Sequence, residues 1–354
     1  MRACILQSMM FLHLAVAQTL QQYDQSCYTQ IPFDSAKYKR KYTIGVLAIR
    51  GTEAAFASYN ATFAQYLTTT AGKRFDPPIE FEMVDVSFVS MFELVETGAV
   101  DFLFVSPSPS TCVPVQHDTH PLASIIETPQ IDGEATPLSE FSGLIITQAD
   151  NDSIETTTDL TNKTVAAISM SGFGSGLMQF YEMQKKGMSH FTDPAQLVFT
   201  GNQGDIVRGV LDGTFDAGFV RTGMIEHTED GNGSLVDASK IKIIDGRQDV
   251  TVSGTVFPYE HSTPLYPAWG FSATKSTNSD VSREVQSALF SLSRHERTGQ
   301  ILESCLAGSL TNDTLDCDDI SALDPDASCD VTVESALAAS KAISDGQYAG
   351  WRTT

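Results

Sequence analysis

The segment YTIGVLAI at residues 42–49 is followed along the chain by IEFEMVDV at residues 79–86 and DFLFVS at residues 101–106. The first and third segments are apolar runs typical of buried strands, and the second alternates like a half-buried strand. The apolar residues between them recur at helical spacing: Phe56, Tyr59, Phe63 and Leu67, then Phe88, Phe92 and Val95. Strands that alternate with single helices predict parallel pairing with right-handed crossovers. The stretch therefore predicts the start of a doubly wound α/β sheet.

A second unit of the same kind follows residue 140. Its predicted strands are LIIT (144–147), TVAAIS (164–169), QLVFTG (196–201), AGFVR (217–221) and IKIID (241–245), with helices over residues 177–186 and 206–211. Residues 248–267 are rich in Thr, Ser and Pro, which is typical of a chain crossing between lobes, before FSAT at 271–274 resumes a strand. We predict two α/β lobes, each a doubly wound, mostly parallel sheet: residues 42–142 and 254–293 form lobe 1, and residues 143–253 form lobe 2.

The segments outside the two lobes indicate export. Residues 1–17 combine Arg2, an apolar run and a small-residue Ala15-Val16-Ala17 site, which predicts a signal peptide and a secreted, extracellular or periplasmic protein. The alternative is membrane association through this N-terminal segment. Residues 18–41 are expected to be an N-terminal extension, residues 294–346 a Cys- and Asp-rich insertion, and residues 347–354 a C-terminal segment.

Composition excludes some classes of function. The formal net charge of −22 argues against nucleic-acid binding, and it requires any anion site to be a local feature. Five cysteines follow the predicted signal peptide: Cys27, Cys112, Cys305, Cys317 and Cys329. We expect local disulfides among the last three of them. Five sequons predict glycosylation if the source is eukaryotic: Asn60, Asn151, Asn162, Asn232 and Asn312.

The most informative motif is the glycine-rich turn at residues 169–176, SMSGFGSG, which follows a predicted strand and precedes a predicted helix. Such a turn offers backbone N–H groups and hydroxyls to a phosphate-like group. The alternative interpretation is an ordinary connection in which a serine caps the helix. The turn lacks the ending of a P-loop, and its GxGxG spacing differs from the dinucleotide fingerprint.

Two further polar turns follow predicted strands. Residues 106–110, SPSPS, form the Ser106 turn after DFLFV, and residues 201–205, GNQGD, form the Asn202 turn after QLVFT. Ligands of open α/β sheets bind beyond the carboxyl ends of the strands, so both turns are candidates for binding. For the Asn202 turn, simple capping of the next helix is the alternative.

Catalytic and metal-binding patterns are weak. No GxSxG elbow or Cys/His pair occurs, so we predict no enzyme activity and no cofactor. His117 and His120 lack a third spaced ligand, and the acidic run at residues 316–319 lacks the order of a calcium loop, so we predict no metal site.

Several motifs together resemble those of the phosphonate-binding (PhnD-like) periplasmic proteins of ABC importers. They are IGVLAIRGTEAAF (44–56), GAVDFLFVSPSPS (98–110), LTNKTVAAISMSGFGSG (160–176), FTGNQGDIVRGVLDGTFDAGFVRTGMIE (199–226), HSTPLYPAWGFSA (261–273) and QYAGW (347–351). The resemblance implies a type II periplasmic-binding fold whose ligand lies in a cleft between the lobes. It also implies these ligand-binding residues: Ser106, Ser108, Ser171, Gly172, Phe173, Thr200, Asn202 and Gln203.

The chain also departs from the family pattern. Asn202-Gln203 stands where relatives often carry Ser-His, Ser110 where an aromatic residue is common, and Gly223 where aminophosphonate binders are often acidic. These differences argue against an aminophosphonate and leave phosphate, phosphite or another phosphonate. Relatives continue with a helical segment after the residues that match QYAGW, so we expect that the C-terminus is truncated.

The sequence therefore predicts a monomer that binds a small oxyanion, either for an ABC permease or as the ligand-sensing ectodomain of a membrane receptor. Two alternatives stay open. The pocket could have changed so far that the protein is an extracellular interaction module, or the scaffold could carry an enzyme that acts on phosphate esters.

Overall fold

The computed structural model describes residues 29–49, 51–131, 133–307, 331–346 and 348–353. The predicted signal peptide at 1–17, residues 18–28 of the predicted extension, Asn312, Cys317, Cys329 and the acidic run at 316–319 lie outside the described residues. Within them, Cys112 is a free, exposed thiol and Cys305 is disulfide-bonded, and the partner of Cys305 lies outside them. The pairing of the predicted disulfides therefore stays a prediction.

The strands of the described part are numbered in chain order. They are β1 (Ile31–Pro32), β2 (Lys41–Leu47), β3 (Phe75–Asp76), β4 (Glu80–Val86), β5 (Phe102–Val105), β6 (His120–Glu127), β7 (Gln130–Ile131), β8 (Glu134–Ala135), β9 (Glu140–Phe141), β10 (Gly143–Gln148), β11 (Thr164–Ala167), β12 (Gln196–Phe199), β13 (Ala217–Arg221), β14 (Ile241–Ile243), β15 (Tyr266–Pro267), β16 (Gly270–Ala273) and β17 (Tyr348–Arg352).

The α-helices of the described part are numbered in the same way. They are α1 (Thr52–Asn60), α2 (Ser90–Glu96), α3 (Pro107–His117), α4 (Met178–Lys185), α5 (Gln203–Leu211), α6 (Ser279–Leu306) and α7 (Val333–Gly346). A π-helical stretch, Ala61–Tyr66, and a short helix, Leu67–Thr69, continue α1, so the helix predicted through residue 70 is present. None of the described helices combines the length and apolarity needed to span a membrane.

The chain divides into two compact units, with residues 129–268 in unit 2 and the remainder in unit 1. The predicted boundaries at 142/143 and 253/254 differ from these limits by about 15 residues. The difference has a physical cause, because β9 pairs with β15 and the Ser142 hydroxyl donates to the Thr263 carbonyl at 2.7 Å. These contacts hold both crossing segments to unit 2.

Unit 1 contains a six-stranded sheet in the order β17-β6-β16-β5-β2-β4. The strands β4, β2 and β5 pair in parallel, as the sequence predicts for strands joined by helices. The strands β16, β6 and β17 add antiparallel pairs. The sheet is therefore mixed rather than mostly parallel.

Both faces of the unit 1 sheet are covered. Leu103 and Val105 of β5 pack in a cluster with Met91 and Val95 of α2. Phe102 and Phe104 alternate with them and face the other way, into a group of aromatic rings that includes Phe63, Phe271 and Trp351. Because β5 is buried on both faces, it appears in the sequence as a continuous apolar run.

Unit 2 contains a five-stranded sheet in the order β12-β11-β13-β10-β14. The three strands β12, β11 and β13 are parallel, whereas β10 and β14 add antiparallel pairs. Ile145 and Phe219 pack against Phe180 of α4. Leu144 and Val220, their neighbours along the strands, pack with residues of α5. The alternation places α4 and α5 on opposite faces, so this sheet is doubly wound.

The described part of the predicted insertion at residues 294–346 consists mainly of helices that belong to unit 1. Residues 294–306 continue α6, and α7 packs its buried face into unit 1 through Ala336, Ala339 and Ala342. The end segments also belong to unit 1: β17 pairs with β6, and β1 pairs with β3. The segment is rich in small and polar residues, which are typical of an exposed insertion. Two closely packed helices also favour small side chains, so the sequence pattern does not distinguish the two cases.

Candidate functional site

The glycine-rich turn follows the carboxyl end of β11 in unit 2. Its Ser171 is exposed, whereas Ser175 and Gly176 are buried. A Cβ atom on Gly172 would lie 2.2 Å from Cγ2 of Ile168, and one on Gly176 would lie 2.8 Å from the carbonyl oxygen of Ser169. The glycines therefore allow the chain to fold back closely onto the end of its own strand.

The regular helix begins later than the sequence predicts. Ser175 and Gly176 have non-helical backbone angles, and α4 begins at Met178. The Gly176 N–H donates to Oε1 of Gln179 at 2.9 Å, and the Leu177 N–H donates to the Gly172 carbonyl at 2.9 Å. The Gly176 and Leu177 amides, which directly precede α4, are thus occupied by protein groups and are not free to bind an anion.

The fully buried Gln179 holds the turn in place. Its Nε2 donates to the carbonyl oxygens of Leu144, Gly174 and Val220 at 3.1, 3.0 and 3.2 Å. This one side chain therefore connects the turn to two neighbouring strands of the sheet. The sequence gives no sign of this role, because a glutamine in the first turn of a helix is usually solvated.

The donors that remain in the turn lie before the helix. Within the described part of the chain, the amides of Met170, Ser171 and Gly172 and the Ser171 hydroxyl make no hydrogen bond to a protein group. These groups lie together on an exposed or half-buried surface. They can donate to oxygen atoms of a ligand, whose binding by this turn stays a prediction.

The Asn202 turn follows β12 and is partly occupied by capping. Oδ1 of Asn202 accepts from the Gly204 N–H at 2.7 Å, and the Thr200 hydroxyl donates to the Asn202 carbonyl at 2.7 Å. Oε1 of Gln203 accepts from the Arg221 N–H at 2.7 Å. Asn202 therefore caps α5, as the alternative interpretation predicts. This capping leaves the carboxamide NH₂ groups of Asn202 and Gln203 for a ligand.

The two turns of unit 2 lie at one edge of the sheet. The Thr200 N–H donates to the Ala167 carbonyl and the Gly201 N–H to the Ile168 carbonyl, both at 3.1 Å. Because β11 and β12 are parallel neighbours, their carboxyl ends meet at that edge. Among the predicted site residues, the structure thus brings Ser171, Gly172 and Phe173 close to Thr200, Asn202 and Gln203.

Arg221 lies at the same edge and was not among the residues predicted from the sequence. It ends β13, which pairs in parallel with β11. A Cβ atom on Gly174 of the glycine-rich turn would lie 3.0 Å from Cβ of Arg221. The sequence feature that could have identified Arg221 is a basic residue at the carboxyl end of the predicted strand AGFVR.

Three aromatic rings lie beside the glycine-rich turn. Phe173 contacts Phe141, with ring centroids 6.1 Å apart, and Tyr266, with centroids 5.1 Å apart. Burial, and secondly the nearby Glu182 carboxylate, raise the pKa of Tyr266 above its ordinary value. Tyr266 is therefore a neutral phenol at physiological pH, and the three rings present a surface without negative charge.

The Ser106 turn follows β5 in unit 1 and begins α3. In the described part of the chain, the Ser106 and Ser108 hydroxyls make no hydrogen bond to protein groups, whereas the Ser110 hydroxyl donates to the Val105 carbonyl at 3.1 Å. Pro107 and Pro109 carry no N–H, so the Ser108 amide is the backbone donor between them. Ser106 and Ser108 therefore keep donors for a ligand, which stays a prediction, and Ser110 does not.

The described residues contain no group of three or more His, Cys, Asp or Glu side chains placed to hold a metal ion. His117 ends α3, where its ring lies 5.8 Å from that of Phe92, and His120 begins β6. The two histidines are therefore parts of regular elements rather than of one loop.

A sequence profile described as "ABC transporter, phosphonate, periplasmic substrate-binding protein" matches residues 46–310. This match covers most of the chain. The chain belongs to this family. Family members bind a substrate rather than convert it, and the family indicates a periplasmic or secreted location.

Solved structures of low sequence identity share the fold. XAC2383 from Xanthomonas citri bound to chloride ion is 12% identical, with a TM-score of 0.58 over 89% of this chain and 92% of that chain. A binding protein component of an ABC phosphonate transporter from Pseudomonas aeruginosa is 10% identical, with a TM-score of 0.55 over 89% of this chain and 81% of that chain. The type II periplasmic-binding fold is thus confirmed.

A curated relative of greater identity is a sensor. The tetrathionate sensor histidine kinase TtrS of Salmonella typhimurium is 30% identical over 254 residues, which are 70% of this chain. The match spans only 39% of the length of the kinase. This member of the family is thus similar to part of a sensor histidine kinase.

Proposed function

We propose that this protein captures a small oxyanion of phosphorus or sulfur, and that the glycine-rich turn of unit 2 contributes to its binding. The supporting observation is the set of donors at residues 170–172, which have no hydrogen-bond acceptor in the described part of the protein. Phosphonate and sulfonate groups present several acceptor oxygens around one atom and can use such a set.

The geometry favours a ligand that presents several acceptor oxygens. Free N–H and O–H groups cluster in the glycine-rich turn of unit 2. An unsatisfied donor that a ligand buries costs about 1–3 kcal/mol, so a ligand without matching acceptors would bind poorly. The exterior repels anions at long range with a net charge of −22, so affinity depends on these close contacts.

Two ligand classes are supported by the comparisons. The family name points to phosphonates, and the name of the sensor kinase points to tetrathionate, a sulfur oxyanion. Both carry a tetrahedral centre with acceptor oxygens beside a less polar portion. The rings of Phe141, Phe173 and Tyr266 suit such a portion.

The role of binding is either delivery to an ABC permease or sensing for a membrane receptor. We favour sensing, because the 30% identity to the sensor kinase exceeds the identity to the importer component of similar fold. Export through residues 1–17 belongs to this proposal. Genes for a permease and an ATPase beside this gene would favour delivery instead.

Substitution of Ser171 by alanine tests the binding site. Calorimetry of the chain from Gln18 onward should show binding of methylphosphonate or tetrathionate. The Ser171→Ala variant should bind about 10-fold more weakly, because it loses one hydrogen bond to a charged oxygen, worth about 1.5 kcal/mol.

The matched control is Ser234→Ala in protein produced without glycosylation, since Ser234 is an exposed serine of the same unit. Equal affinity of Ser171→Ala and the wild-type protein would place the ligand elsewhere. Absence of binding for both compounds in the wild-type protein would contradict the proposed oxyanion classes.

A further inference from the structure

We propose that Arg221 is the charged ligand contact in unit 2 and that it restricts binding to anions. This inference rests on the proposed function and adds a residue to its site. The eight residues predicted from the sequence are all uncharged, so they can satisfy oxygen atoms but cannot select a charged ligand over a neutral compound of the same shape.

The position of Arg221 follows from the sheet. It is the last residue of β13, and β13 and β11 are parallel neighbours, so Arg221 and the glycine-rich turn share one edge. Because a Cβ atom on Gly174 would lie only 3.0 Å from Cβ of Arg221, there is no room for a side chain between them. The arginine side chain thus begins directly against the turn.

Two contacts fix the direction of Arg221. The Gln203 carboxamide oxygen accepts its backbone N–H at 2.7 Å, which joins the residue to the Asn202 turn. Its guanidinium carbon lies 5.6 Å from the centroid of the Phe141 ring, which in turn contacts Phe173. The cation therefore lies beside the aromatic rings, and the backbone of the same residue is joined to the Asn202 turn.

The chemistry of the guanidinium group suits the proposed ligands. Its planar fork has five N–H donors and matches two oxygens of one phosphonate or sulfonate group. Arg221 also interacts with other groups of the protein, and a ligand shares the guanidinium with them. In a protein with a net charge of −22, a half-buried cation at this edge also supplies local attraction that the exterior lacks.

The arrangement defines the ligand class more closely. One tetrahedral anionic group is bound by Arg221 and the amides of residues 170–172, while the adjoining portion rests on Phe141 and Phe173. Alkylphosphonates, organosulfonates and thionates have this form. Dimethyl sulfone, a neutral compound with two sulfur-bound oxygens, lacks the charge that Arg221 recognises.

The test is calorimetry on the variants Arg221→Gln and Arg221→Lys with methylphosphonate, tetrathionate and dimethyl sulfone. Arg221→Gln should weaken binding of the anion about 10- to 100-fold, the loss expected for a charge-assisted hydrogen-bond pair. The ratio of its Kd to that of the wild-type protein should shrink as salt rises, because salt screens the lost attraction. Arg221→Lys should retain part of the affinity.

Arg208→Gln is the control, since Arg208 is an arginine of unit 2 whose guanidinium pairs with Asp205. It should leave the Kd unchanged. Thermal unfolding of each variant identifies any loss of fold, and the lysine variant keeps the test decisive if the glutamine variant does not fold. Unchanged affinity in both Arg221 variants, with anion binding by the wild-type protein, would overturn this inference and leave the proposed function intact. Lack of anion binding by the wild-type protein would contradict the proposed function itself.

Discussion

Gln179 shows how one buried polar residue can determine the shape of a binding turn. Its carboxamide makes contacts with the turn and with two strands, and the side chain is fully buried. A substitution that removes the carboxamide leaves carbonyl and N–H groups without partners in a buried place, which costs more than a hydrogen bond at the surface. The residue is structural, and it positions Gly174 and Gly176 in the turn that we propose as the binding site.

We therefore expect Gln179→Ala to lower the free energy of unfolding by about 2–4 kcal/mol, through lost hydrogen bonds and a small cavity. Urea denaturation followed by circular dichroism measures this change. Gln184→Ala, at an exposed position of the same helix, should change it by less than about 0.5 kcal/mol. Equal stability of the two variants would show that the Gln179 contacts do not hold the turn.

At the same scale, the sequence identified only part of the site. The glycine-rich turn was found because Gly and Ser after a strand form a local pattern. Arg221 and Gln179 were missed, since their importance depends on which strands are neighbours, and strand order is not visible in the sequence. The structure shows that Asn202 caps α5, which was the alternative interpretation of the Asn202 turn.

At the scale of elements, α6 and α7 pack closely enough that a single methyl group is excluded. A Cβ atom on Gly299 of α6 would lie 2.3 Å from the carbonyl oxygen of Ala336 in α7. Backbone atoms cannot move aside as the end of a flexible side chain can. The contact explains why α7 is rich in alanine on its buried face.

Gly299→Ala should therefore destabilise the protein by about 1–3 kcal/mol, the cost of overpacking, although alanine within a helix normally stabilises by about 1 kcal/mol. Thermal unfolding provides the measurement. Gln300→Ala, at the exposed neighbouring position, should change the free energy of unfolding by close to zero. A rise in Tm for Gly299→Ala would mean that α6 and α7 are packed more loosely than described.

The elements themselves were well predicted where apolar periodicity was strong. The strands of both sheets and the helices α4 and α5 lie near their predicted ranges. The antiparallel strands β10 and β16 were recognised as strands, but their direction was not, because a buried strand has the same apolar pattern in either direction. The helical nature of residues 333–346 was hidden by the small residues that make its packing possible.

At the scale of the whole molecule, the family and the fold were predictable because many ordered motifs extend over most of the chain. The unit boundaries were less predictable, since β9 and β15 are two-residue strands with little apolar pattern. A net charge of −22 combined with an anion ligand requires that recognition be local. Hydroxyls, main-chain amides and one arginine are the groups to which we assign this recognition.

The most direct test is a crystal structure of the protein with whichever of methylphosphonate and tetrathionate binds in calorimetry, with the ligand located by anomalous scattering from its phosphorus or sulfur. We expect ligand oxygens about 2.7–3.2 Å from the amides of residues 170–172 and from the Ser171 hydroxyl. A ligand bound away from the glycine-rich turn, with those amides in contact with water only, would contradict the proposed binding site.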